Sequence, residues 1–176
     1  MSVKIVIDST VDLAENIKDK FTVVPLTINF GDEEYIDGVT ITHKEFYQKL
    51  IESDVLPTTS QATPAVFSKV FNEIVEAGDT AVVITISQKL SGTYQSAMIA
   101  AEDFPEKIFV VDSNTVAIAS GILAELALGL AEKGLSASEI AEKLTEEHNN
   151  VRLIALLDTL EYLKRGGRIS KTVSFA

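Results

Sequence analysis

The sequence predicts an α/β fold: a three-layer, mostly parallel sheet with helices on both faces and a small hairpin insertion. Two observations carry that prediction. Short apolar runs of strand length alternate with longer segments of helical pattern along most of the 176 residues. At 46% hydrophobic residues the chain also has enough apolar material for one domain, or one and a fraction, with a core of its own.

The elements follow in order. Residues 4–8, Lys-Ile-Val-Ile-Asp, read as a buried strand and 12–20 as a short helix. Residues 21–30, rich in Val, Ile, Thr and Phe, read as the next strand. Gly31-Asp32 is a turn signal, after which 34–37 return as a hairpin arm. Residues 42–53 predict a helix: Thr42 caps it, Glu45 holds the capping-box position, and Phe46, Leu50 and Ile51 share a face. The stretch 56–64 holds two prolines and four hydroxyl residues and reads as turn, with Thr63-Pro64 starting a helix over 64–76. Strand 80–86, helix 91–102 and strand 107–112 come next. Helices over 116–133 and 136–149 are split by Gly134. A last strand over 151–157 and a short helix over 158–165, ended by Gly166-Gly167, complete the pattern.

Composition excludes several classes. There is no cysteine, hence no disulfide, thiolate nucleophile or thiolate metal site. A net charge of −11 repels a phosphate backbone and argues against nucleic acid. It does not prevent capture of an anion by local dipoles, because the Debye length is ~8 Å at physiological salt. The longest apolar stretch, 116–131, is interrupted by Ser120, Gly121, Glu125 and Gly129, so no membrane span is expected. The N-terminus opens directly on a strand pattern without a signal-peptide layout, which predicts a cytoplasmic protein.

In open α/β sheets ligands sit beyond the carboxyl ends of the strands. Those positions carry Asp8-Ser9-Thr10, Ser87 through Thr93, and Asp112-Ser113-Asn114-Thr115, with Thr58-Thr59-Ser60-Gln61 leading into another helix. They are rich in hydroxyls and nearly free of cations, and a helix start with Ser or Thr is a natural anion site. Any one of these residues is also an ordinary cap. Ser91 after a strand resembles a nucleophile elbow, but Lys89 stands where that motif needs glycine. A triad would need one of two histidines, His43 or His148, which read as surface or half-buried residues. Phosphate-loop, dinucleotide and zinc-protease motifs are absent. Asp8 and Asp112 have the chemistry for a hard cation, but turn hydrogen bonds explain them more simply. No cofactor and no metal is expected. Lys164, Arg165 and Arg168 form a local basic patch at a helix end, suited to the helix dipole, an anion site or a partner.

Four segments together resemble the DegV family: Ile7-Asp8-Ser9-Thr10-Val11-Asp12-Leu13; Thr59-Ser60-Gln61 before a proline-started helix; Leu90-Ser91-Gly92-Thr93-Tyr94-Gln95-Ser96-Ala97; and Leu160 through Arg165-Gly166-Gly167-Arg168-Ile169-Ser170. Their order and spacing fit the whole chain. Ala62-Thr63-Pro64 is a departure, since the family often has proline directly after the glutamine. The resemblance implies a two-domain fatty-acid-binding protein, the binding subunit of a bacterial fatty acid kinase and not an enzyme by itself. It would present the carboxylate of a long-chain fatty acid to a separate kinase for acyl phosphate formation. It further implies that Thr59 and Ser91 hydrogen-bond the carboxylate and that Ser60 and Gly92 shape the loops and offer N–H groups. Arg168 would organise the head-group site or the kinase contact. On this reading residues 1–160 are the lipid-binding domain, and 161–176 begin the connection to a second domain expected to be absent from this chain. Burying ~0.8 kcal/mol per CH₂, an acyl chain of about 16 carbons gains on the order of 12 kcal/mol before ordering costs, so the head-group site need only orient the carboxylate. The apolar residues of 116–131 suit a tunnel wall or plain core. Two alternatives stay open: a serine hydrolase using Ser91, and a regulatory interaction module using the basic patch around Arg168.

Overall fold

The computed structural model describes residues 2–169. Its main sheet contains β1 (Val3–Asp8), β2 (Thr22–Val24), β6 (Thr80–Thr85) and β7 (Ile108–Asp112), all parallel, in the order β2-β1-β6-β7. A second, antiparallel sheet contains β3 (Thr27–Phe30), β4 (Glu33–Ile36) and β5 (Thr58–Ser60) in the order β4-β3-β5. The helices are α1 (His43–Glu52), α2 (Pro64–Glu76), α3 (Thr93–Ala101), α4 (Ile118–Glu132), α5 (Ala137–Glu147) and α6 (Glu161–Arg165).

The two-residue alternation of β1 and β6 divides the core. Ile5, Ile7, Val82 and Ile84 pack with Leu123 of α4 and Ile140 and Leu144 of α5. Val6, Ala81 and Val83 pack on the other face with Phe67 and Phe71 of α2 and Ala97 of α3. Both faces are covered, which is why the strands read as unbroken apolar runs. Each fully buried Ile, Leu or Phe contributes roughly 1.5–3 kcal/mol. Ile28, Phe30 and Ile41 form a smaller core under the second sheet, with Tyr35 and Phe46 against it.

The expected three-layer α/β architecture is present, with four departures in detail. Residues 21–30 are not one strand. Pro25 follows β2, and the chain leaves the parallel sheet there to start β3 in the other. The turn-rich 56–64 contains β5, which pairs antiparallel with β3 and turns the expected hairpin into a three-stranded sheet. The helix expected over 12–20 is a 3₁₀ segment, Glu15–Lys20. Residues 151–157 form no strand. Ile154 and Leu156 are 93% and 99% exposed, and the run joins neither sheet. An apolar run becomes a strand only where an edge accepts its backbone groups. Ile51 also stands out from α1 rather than sharing a buried face.

α4 serves two environments. Ala119, Leu123, Ala124 and Ala127 join the core, while Ile118, Ile122 and Leu126 form an exposed row on the other side. Among the described residues no helix is long and apolar enough to cross a membrane.

Candidate functional site

At the carboxyl edge of the main sheet one local device recurs. A side-chain oxygen accepts the backbone N–H two residues on: Asp8 from Thr10 at 2.9 Å, Ser87 from Lys89 at 3.3 Å, Ser91 from Thr93 at 3.3 Å, Asp112 from Asn114 at 2.9 Å, and Ser113 from Thr115 at 3.3 Å. These are the turns Asp and Ser favour. They also tie neighbouring loops together. The other Asp8 oxygen accepts Ile86 N–H at 2.7 Å, and Asp112 also accepts Gln88 N–H at 3.2 Å. The Asp8 and Asp112 carboxylates are thus engaged in turn hydrogen bonds. Asp8 is fully buried, and burial pushes its carboxyl above the usual range against the lowering effect of Thr10 and Ile86.

The helix starts divide into two kinds. α1 and α5 open on complete capping boxes, Thr42 with Glu45 and Ser136 with Glu139. α2, α3 and α4 open on Thr63, Gly92 and Ala117, none of which makes a side-chain cap hydrogen bond. Thr63, expected as a cap, does not act as one. At α3 the first N–H, that of Thr93, donates to Ser91 Oγ at 3.3 Å, at a helix N-terminus of the kind that suits an anion. The start of α4 is fixed instead by backbone. Ala117 holds φ 56°, and its carbonyl accepts Gly121 N–H at 3.1 Å. A Cβ on Gly121 would meet the Asp12 carbonyl oxygen at 2.1 Å.

The predicted segments 59–60 and 91–92, far apart in sequence, are joined through Gln61, a residue of the Thr59-Ser60-Gln61 motif for which the sequence implies no role. Gln61 follows β5, and its Nε2 donates to Ser96 Oγ of α3 at 2.9 Å. Its amide lies so close to Gly92 that a Cβ there would sit 2.0 Å from Gln61 Oε1. A side chain at position 92 would displace the Gln61 amide, so the glycine there is the signal that could have paired the two motifs. Thr59 lies opposite Ile28 and Ser60 opposite Thr27, so their side chains leave β5 on opposite faces. Ser60 Oγ accepts Asn29 Nδ2 at 3.3 Å, while Ser91 Oγ and Thr93 Oγ1 share a hydrogen at 2.9 Å. Thr58, Thr59 and Ser60 are exposed, and Ser91 and Gly92 are half-buried.

Arg168 lies elsewhere in the described contacts. Its Nη1 donates to the Gly166 carbonyl at 2.5 Å, and Arg165 pairs with Glu161. Gly166 and Arg165 belong to a cleft of about 680 Å³, lined also by Phe46, Leu50, Pro57 and Thr58. That cleft brings the end of α6 beside the start of β5, two residues from Arg168 and one from Thr59. Ser170, the last residue of that motif, is outside the described residues.

Nothing described assembles a base for Ser91. His148 Nδ1 is 3.1 Å from the Asp112 carbonyl, His43 opens α1, and among the described hydrogen bonds neither ring reaches Ser91. Fold and edge together define an α/β domain whose neutral hydroxyl and N–H donors suit a small anionic head group.

The chain belongs to the DegV family: the family model described as "Uncharacterised protein, DegV family" matches residues 2–175. A DegV domain-containing protein of Caldanaerobacter subterraneus subsp. tengcongensis is 40% identical over 175 residues, 98% of this chain and 62% of that protein. The chain therefore spans about 62% of that curated relative's length. Among solved structures, a Thermus thermophilus DegV family protein described for fatty acid binding superposes with a TM-score of 0.85 at 36% identity, covering 99% of this chain and 63% of that one. A stearic acid-binding protein of Eubacterium ventriosum gives 0.82 at 34% identity, covering 100% and 64%.

Proposed function

We propose that this chain holds a long-chain fatty acid by its carboxylate and presents it to a separate kinase for acyl phosphate formation, without catalysing that step itself. The observation that carries the reading is the junction of the 59–60 and 91–92 segments through Gln61, beside a helix start with no side-chain cap. Fatty acid binding by similar proteins supports it. In this reading Thr59 and Ser91 hydroxyls donate to the carboxylate, which accepts up to four hydrogen bonds and needs no cation. Ser60 and Gly92 contribute backbone N–H groups. The acyl chain has apolar surface at hand in the cleft of Phe46, Leu50, Leu56 and Pro57, whose volume of about 680 Å³ lies within the roughly 300–1,000 Å³ usual for small-molecule sites. Residues 1–160 supply the head-group site. Residues 161–176 lead toward a second domain of the kind the longer relatives have room for, with Arg168 facing the head group or the kinase.

Native mass spectrometry with lipid extraction, after incubation with hexadecanoic acid, tests this. We expect one bound acid per chain, and affinity lowered by about tenfold in Thr59→Ala and in Ser91→Ala, the scale of one hydrogen bond to a charged group. Failure of the chain to take up any fatty acid overturns the reading.

A further inference from the structure

Resting on that reading, we infer that Gln61 is a positioning residue that makes the site select an ionised carboxylate over a neutral head group of the same chain length. Thr59 and Ser60 belong to β5, hydrogen-bonded to β3 in the antiparallel sheet. Ser91 and Gly92 precede α3, which packs on the parallel sheet. A carboxylate held by both segments has two oxygens a fixed distance apart, so the two segments must keep a fixed separation. A single hydroxyl or ester head makes fewer simultaneous demands and tolerates a looser pair.

Three features let Gln61 set that separation. Its Nε2 donates to Ser96 Oγ at 2.9 Å, and Ser96 is 2% exposed in the first turns of α3. Its amide occupies the space over Gly92 that any Cβ would fill. The next residue, Ala62, is buried in the same core as Phe67, Val83 and Ala97, so the backbone carrying Gln61 is anchored. A side chain pinned at its base by packing and at its tip by a buried hydroxyl acts as a strut of fixed length. Gln61 itself need not touch the ligand.

The test compares affinities for hexadecanoic acid and hexadecanol in the wild-type chain, Gln61→Ala and Ser96→Ala. Ser96→Ala removes the same hydrogen bond from the other side, so the inference survives misfolding of either variant alone. Wild type is expected to prefer the acid. Both variants should lose about tenfold in acid affinity, the scale of one charge-assisted hydrogen bond, with hexadecanol affinity within about twofold. An unchanged acid-to-alcohol ratio in the variants overturns the role of Gln61 and leaves the carrier reading standing. A wild-type chain that binds both ligands equally overturns the head-group reading itself. Hydrogen exchange without ligand gives an independent readout. Gln61→Ala should speed exchange in residues 58–60 and 93–96 together, and unchanged rates in both segments refute the strut.

Discussion

The starts of α5 and α3 show two ways to begin a helix. Ser136 and Glu139 close the α5 start reciprocally: Ser136 Oγ accepts Glu139 N–H, and the Glu139 carboxylate accepts Ser136 N–H at 2.8 Å. At α3 the cap is Gly92, and the nearby Ser91 oxygen is turned to the Thr93 N–H and hydroxyl. The α5 start has the Ser136 and Glu139 N–H groups satisfied reciprocally and the Glu139 carboxyl held below the usual range by Ser136. The α3 start has no side chain at its cap and is linked through Gln61 to the end of a strand, β5, that carries further hydroxyls. A polar helix start is therefore no mark of a ligand site. The informative case is the one where the side-chain oxygen that would close the helix is missing or engaged elsewhere.

The sharpest break of this contrast is at α4, whose start is held by close backbone contact with the Asp12 segment. Gly121→Ala places a methyl against the Asp12 carbonyl, and we expect about 1–3 kcal/mol of lost stability in urea denaturation. That outcome requires the clash to exceed the roughly 1 kcal/mol alanine gains over glycine in a helix. A more stable variant would show that the Asp12 segment yields easily.

Asp8 tests the turn network of the same edge. Its carboxyl is raised by burial, so the native state holds the proton more tightly than the unfolded chain does. Stability then falls as pH rises from the ordinary value near 3.8 through the higher native value. Asp8→Asn removes that titration. The stability of wild type relative to Asp8→Asn should decline with rising pH across this window, by about 1.4 kcal/mol for each tenfold difference in proton affinity. A flat difference would show that the hydrogen bonds from Thr10 and Ile86 fully offset burial.

The smallest effects compare caps directly. Ser136→Ala should cost about 1 kcal/mol. Thr63→Ala, at an α2 start where the hydroxyl makes no cap bond, should stay within about 0.5 kcal/mol. Thermal unfolding of both variants decides it, and equal losses would erase the distinction between the two kinds of helix start.

Much of this was legible in the residues. The capping box at Thr42 is a local, three-residue relationship, while the one at Ser136 has the same Ser-x-x-Glu spacing and emerged only in the structure; the apolar runs of 4–8 and 80–86 state that both sheet faces are covered. Residues 151–157 had the same apolar character and no partner edge, because hydrogen-bonding neighbours are set by the rest of the fold. The candidate residues Thr59, Ser60, Ser91 and Gly92 were named from motif and strand-end position. Their pairing through Gln61 was not, since its contact with Ser96 spans 35 residues and joins the end of β5 to α3.

By itself the sequence determined what depends on short-range periodicity and local hydrogen bonding: alternating strands and helices, the capped start of α1, and hydroxyl-rich loops nearly free of cations. Only the tertiary structure decided which of those hydroxyls are engaged in turns, that β5 lies against β3, and that the Gln61 amide fills the space over Gly92. The physical reason is one of range. A side chain's own neighbours fix its helix or strand preference, whereas the distance between two loops is fixed by strand order and by packing of the layers between them.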